Sequence, residues 1–272
     1  MAFKLPLFAA IAAAALCASS PAIAANTDTI AKWSDTSAAR ADYSAWGTFL
    51  EKYVVAGENG DPNRVRYGEV SKADRQQLKD YVETLAAIDP TALSRNDAFA
   101  YWANLYNALT VNLILDHYPV KSIRKIKPSI FAIGPWGMDA VTVNGETLTL
   151  DDIEHKILRG HFKDNRVHYA VNCASVSCPN LRKEPFDGAR LDDQLNEAAH
   201  DYVNSPRGAA LSAKGRLTVS SIYKWFRKDF GGDEQGVIAH LSLYAEPALQ
   251  KRLKSADDID GYDYDWSLND VR

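Results

Sequence analysis

The residues of this chain best suited to chemistry are two cysteines, Cys173 and Cys178. They lie in the run His168-Tyr169-Ala170-Val171-Asn172-Cys173-Ala174-Ser175-Val176-Ser177-Cys178-Pro179. A thiol becomes a nucleophile when a neighbouring base or cation lowers its pKa below the free value of about 8.5. His155, in Ile153-Glu154-His155-Lys156-Ile157-Leu158-Arg159, is the better-placed base because it arrives from a separate element. His168 precedes Cys173 on what reads as one strand, where five residues turn the two side chains to opposite faces. Glu154 stands beside His155 to orient the imidazole. Asp151 and Arg159, each four residues from His155, share its helical face. The same spacing suits an ordinary surface ladder of ion pairs.

The cysteines also fit a structural role. A disulfide needs Cα atoms about 5.5 Å apart, whereas five residues of strand span about 17 Å, so bonding would force a tight turn. Ser175, Ser177 and Pro179 permit one. The small loop so closed would be stabilised by roughly 2 kcal/mol in the chain-entropy model. A zinc site would need a matching His or Cys pair downstream, and thioredoxin-like motifs have two intervening residues where this run has four. No metal and no cofactor is expected.

Three amides complete the candidate set. Residues 99–115, FAYWANLYNALTVNLIL, are apolar on nearly every face, which predicts a helix through the core. Asn104, Asn107 and Asn112 are anomalies there, since a buried amide without partners costs about 1–3 kcal/mol. Asn112 is expected to tie a loop to the core. Asn104 and Asn107 suit either that role or the donation of a hydrogen bond to a developing oxyanion. His161, His200 and His240 read as surface residues. The aspartates at 257, 258, 260, 263 and 265 depart from the calcium spacing of an EF-hand, and the first three read as a solvated acidic tail.

These residues need a scaffold, and the chain can build one. It has 272 residues, 46% hydrophobic and 24% charged, which excludes disordered and collagen-like classes and allows a large core. The net charge is −4, with no basic block of the kind nucleic acid requires. Residues 1–24 have a positive start at Lys4, an apolar middle and a small-x-small site at Ala22-Ile23-Ala24, the layout of a secretory signal peptide. Cleavage after Ala24 or Ala25 would remove Cys17 and leave a periplasmic or secreted protein of residues 25–272. No later stretch is long and apolar enough to span a membrane.

Periodicity and turn chemistry predict helices over 36–56, 71–88, 94–118, 150–159, 191–204, 221–229 and 235–253. Hairpins are expected around Asn144-Gly145 and Lys214-Gly215, and a strand over 167–172. Strands come as hairpins and not in βαβ alternation. The fold class is therefore a single, mostly helical α+β domain with a long buried central helix.

At this point the motifs resemble a known family. Tyr101-Trp102-Ala103-Asn104-Leu105-Tyr106-Asn107-Ala108-Leu109, then the His155 run, then the cysteine run, resemble in order the family called domain of unknown function 547. The closing Tyr262-Asp263-Tyr264-Asp265-Trp266-Ser267-Leu268-Asn269 is similar to the tail of its exported bacterial members. The resemblance covers about residues 35–270, with its core at about 95–205. It implies no established activity, but Asn104, Tyr106, Asn107, Glu154, His155, Arg159 and Cys173 match its recurring positions. Cys178 matches bacterial members, whereas plant relatives often carry another residue there, which favours Cys173 as the thiol of interest. Some animal relatives join this domain to a glutaredoxin-like one, a hint of thiol chemistry.

Two functions follow as expectations. In the first, Cys173 is the nucleophile of an acyl-transferring or amide-hydrolysing enzyme, with His155 as base, Glu154 orienting it and Asn104 or Asn107 as oxyanion donor. In the second, the chain is a non-catalytic binding module whose Cys173–Cys178 disulfide shapes a rim loop. The partner in either case is a small molecule or peptide.

Overall fold

The computed structural model describes residues 25–212, 215–256 and 258–271. The segment read as a signal peptide, residues 1–24, lies outside them.

Helix α1 (Thr27–Ile30) is a single turn, followed by α2 (Ser44–Tyr53), which begins eight residues later than its periodicity suggested. Two short strands, β1 (Val54–Val55) and β2 (Arg64–Val65), pair antiparallel across the expected Gly- and Asn-rich loop. Helices α3 (Lys72–Ala86) and α4 (Arg95–His117) each start at a serine cap. Ser71 Oγ accepts from the Asp74 N–H and Ser94 Oγ from the Asp97 N–H, satisfying donors that a helix start leaves bare. Helix α4 is buried on all sides from Asp97 to Asn112, as its uniform apolarity required.

Strands β3 (Asp139–Val143) and β4 (Glu146–Thr149) form the expected hairpin, pairing Val141 with Leu148 and Val143 with Glu146. Asn144 and Gly145 both adopt positive φ, 49° and 81°, which the two-residue turn demands and which this dipeptide adopts at little cost. The hairpin leads into a π-helix, Asp152–Phe162, which continues past the expected end at 159. It packs against α4 and stops where Lys163 turns left-handed, φ 54°.

The expected strand over 167–172 is instead a helical turn, α5 (Val167–Ala170). Asp164 causes this: its carboxylate accepts from the Arg166 N–H, at 2.9 Å, and starts a turn just before Val167. The apolar run is too short for periodicity to separate strand from helix. Helix α6 (Leu191–Val203) matches its expectation, and β5 (Ala209–Leu211) pairs with β6 (Leu217–Ser220) as the second hairpin. Helix α7 (Ser221–Trp225) gives way to a tighter 3₁₀ turn at Arg227–Phe230. The expected helix 235–253 is two helices, α8 (Glu234–Tyr244) and α9 (Pro247–Leu253), because Pro247 favours the first turn of a new helix over the interior of an old one.

The closing segment is not a free tail. Strand β7 (Gly261–Asp263) adds parallel to β6, and the chain then crosses back to bridge Leu268 to Ser175 and Asp270 to Val65. Asp260 is exposed yet engaged, accepting from the Leu217 N–H at 2.7 Å. The result is an α+β fold with one apolar cluster around α4 and another among α6, α8 and β5–β6. No helix among the described residues is long and apolar enough to cross a membrane.

Candidate functional site

Between the two clusters lies a cavity of about 200 Å³. Cys173 and Cys178 reach it from the loop after α5, Glu154 and His155 from the π-helix, and Tyr106 from α4. Its walls are aromatic: Trp136 ahead of β3, Trp225 and Phe226 at the end of α7, and Tyr264 and Trp266 from the returning C-terminal segment. A larger groove, about 670 Å³, runs between α3, α4 and β3, but no cysteine or histidine is among its lining residues. Asn112 lines that groove, and its Oδ1 finds no partner among the described residues.

The cysteine loop is held in an unusual shape. Ala174 has φ 56°, in the left-handed region that a Cβ disfavours by about 1–2 kcal/mol. Asn172 fixes it: Oδ1 accepts from the Ala174 N–H at 2.9 Å while Nδ2 donates to the Pro179 carbonyl at 2.7 Å. The tight turn that the sequence permits therefore forms. It brings the two sulfurs to 2.9 Å, with the Cys173 N–H donating to Cys178 Sγ at 2.9 Å, and both thiols are free.

Cys173 Sγ also lies 3.1 Å from Tyr264 Oη and 3.2 Å from Ser175 Oγ. Burial pushes its pKa up, but hydrogen bonds from Cys178, Ser175 and Tyr264 outweigh that and hold the thiol below its ordinary value. Cys178, with the burial but with Cys173 as an adjacent negative centre, is pushed well above its own. Of the two, Cys173 is thus the more acidic thiol.

His155 and Glu154 line the cavity, yet no imidazole nitrogen lies within hydrogen-bond distance of Cys173 Sγ among the described residues. Glu154 Oε1 stands 3.7 Å from His155 Nδ1, too far for a hydrogen bond, and Oε2 accepts instead from Tyr106 Oη at 3.0 Å. Arg159 Nη1 lies 3.3 Å from His155 Nδ1, and its Nε donates to Asp229 at 2.7 Å. Asp151 approaches His155 Nε2 at 3.6 Å, and burial raises its carboxyl pKa.

The two candidate oxyanion donors are spent elsewhere. Asn104 donates to the Phe186 carbonyl and accepts from the Phe186 N–H. Asn107 donates to the Ala170 carbonyl and accepts from the Asn172 N–H. Both tie loops to α4, and neither is among the residues lining the cavity.

Other residues matter that sequence reasoning sets aside. His168, discounted on the strand reading, reaches the cavity because α5 is helical, and Nε2 lies 2.7 Å from Asp229. Burial lowers its pKa against the pull of Asp229. Phe226 lies between the His168 ring, 4.3 Å away, and the Arg159 guanidinium, 4.5 Å away. Tyr264 and Trp266 have one signal, the aromatic character of the closing segment. His240, read as a surface residue, is buried against Tyr169, whose hydroxyl lies 2.7 Å from Nε2.

Fold and site together define a mostly helical α+β domain with an acidic thiol inside an aromatic-walled cavity. Residues 90–203 match the model of DUF547, described as a protein of unknown function. The matched residues include α4, the π-helix and the cysteine loop, whereas the walls from α7 and the C-terminal segment lie beyond them. No curated protein and no solved structure matches the chain.

Proposed function

We propose that the cavity is the active site of an exported, thiol-dependent enzyme that transfers acyl groups or hydrolyses amides, with Cys173 as nucleophile. The observation that carries this reading is the pairing of an acidified, half-buried Cys173 with Glu154 and His155 in one cavity. A volume of about 200 Å³ suits a small acyl group or the end of a peptide. The thiol proton passes to His155 by way of bound substrate or water. The thiolate forms an S–C bond to the carbonyl, the C–N bond breaks, and the amine leaves with that proton. Water then supplies hydroxide to the acyl carbon and a proton to sulfur, which restores the thiol. His155 would act through a substrate or water, since it does not touch Cys173 directly.

Incubation of reduced protein with p-nitrophenyl acetate tests this. An acyl adduct on Cys173 is expected by mass spectrometry, absent in Cys173→Ser and turned over more slowly in His155→Ala. No adduct on Cys173, or an equal one in Cys173→Ser, would overturn the reading.

The 2.9 Å between sulfurs favours a second reading, the binding module, should oxidation join Cys173 and Cys178. Protein exported into an oxidising compartment would then show no free thiol until reduced.

A further inference from the structure

Cys173 aside, the least expected surface of the molecule lies along residues 121–138, between α4 and β3. Ile130, Phe131 and Ile133 are 85%, 89% and 69% exposed. Three large apolar side chains so fully in water within four residues are unusual on a monomer surface. The same stretch carries Lys121, Arg124, Lys125 and Lys127 and no acidic residue before Asp139, in a chain whose net charge is −4. Lys121, Lys125 and Lys127 are exposed, and none has a carboxylate within 4.0 Å among the described residues.

This surface is joined to the mouth of the cavity. The Arg124 guanidinium lies 5.2 Å over the Trp266 ring, and Trp266 in turn contacts Trp136 and Trp225, each at 5.6 Å. Trp225 is 48% exposed. Gly134 lies against the Trp136 ring so closely that a Cβ there would stand 2.1 Å from it, which seats the apolar loop on the cavity wall. Exposed aliphatic and aromatic side chains, adjoining tryptophans and unpaired cations along one short stretch match the chemistry of a bilayer interface, where indoles sit at headgroup depth and lysines meet lipid phosphates. A folded protein partner would need a shaped counter-surface, whereas a projecting loop of Ile130, Phe131 and Ile133 inserts into lipid without one.

We propose that this face docks on an anionic membrane surface, with the 130–133 loop entering the acyl boundary and the lysines against the phosphates, so that the cavity opens toward the lipid. The proposal stands whether or not Cys173 is a nucleophile. The acyl assay is run without vesicles, so the two can fail separately.

Flotation of the purified protein with vesicles of phosphatidylglycerol and phosphatidylcholine, or of phosphatidylcholine alone, tests it. Binding to the anionic vesicles is expected, falling as salt rises. Phe131→Ser combined with Ile133→Ser, and separately Lys125→Glu combined with Lys127→Glu, should each weaken binding by at least about tenfold. Their melting temperatures should not change, since these side chains stabilise no core. No binding to anionic vesicles, or binding that both double variants retain, would overturn the proposal. A dimer abolished by the serine variant, without vesicle binding, would assign the face to a second copy instead.

Discussion

Asn107 holds Asn172 in place: its Oδ1 accepts the Asn172 N–H at 2.8 Å while its Nδ2 donates to the Ala170 carbonyl at 2.9 Å, both deep in the core. Through this one amide the central helix sets the position of the loop that carries the thiols. Asn107→Ala leaves a buried donor and a buried acceptor unpaired, each costing about 1–3 kcal/mol, so a loss of about 2–6 kcal/mol is expected in urea unfolding. The variant's Cys173 should also lose its raised acidity, because the loop is released. A variant of unchanged stability would show that the clamp contributes nothing.

Cys173 should alkylate with a pH midpoint below the free thiol's, and Cys178 only on unfolding. In a Cys178→Ser background, which removes the competing thiol but keeps a hydroxyl donor, Tyr264→Phe and Ser175→Ala should each raise that midpoint. His155→Ala should leave it in place, since no imidazole bonds the sulfur. Midpoints insensitive to Tyr264 and Ser175 would show that these two hydroxyls do not acidify the thiol.

His240 makes stability depend on pH on the weakly acid side. Burial lowers its pKa from 6.5 to about 4. Between these values the unfolded chain holds the extra proton, so its contribution is complete above about 6.5 and falls as pH drops toward 4. The amount at stake is about 3 kcal/mol. His240→Phe, which keeps a ring among Tyr169, Phe230 and Tyr244, should flatten this slope in chemical denaturation. Part of it will persist, because burial also lowers the pKa of His168.

Asp229 acts at lower pH. The His168 bond, and after it Arg159, outweighs burial and holds its carboxyl well below the usual 3.8. A depressed carboxylate stabilises above its unfolded pKa and loses that contribution as pH falls below about 3.8. Asp229→Asn should cost about 1–3 kcal/mol at neutral pH and less as acid is added. It should also loosen Phe226, which fluorescence of the neighbouring Trp225 would register.

The sequence discloses what local chemistry controls. Ser71 and Ser94 mark two helix starts, Asn144-Gly145 marks a hairpin, and the even apolarity of 99–115 marks a helix buried on every side. It also singles out Asn104 and Asn107, though not what they bind, because Phe186 and Ala170 lie 82 and 63 residues away. The role of His168 is hidden for a local reason: four residues, Val167–Ala170, carry too little periodicity to distinguish a helical turn from a strand. The burial of His240 is hidden because its neighbours in sequence say nothing of Tyr169, 71 residues earlier. The cavity walls are concealed in the same way. Tyr264 and Trp266 look like part of an acidic tail until β7 docks on β6 and carries them back over the thiols.

That return has a consequence for timing. Tyr264 follows Cys173 by 91 residues. A chain growing from its N-terminus therefore completes α4, the π-helix and the cysteine loop well before this hydroxyl exists. Until then Cys173 lacks one of the donors that sharpen it and one wall of its enclosure. Reactivity thus arrives last in biosynthesis, and a chain cut short ahead of residue 264 would carry a dull thiol instead of an indiscriminate one.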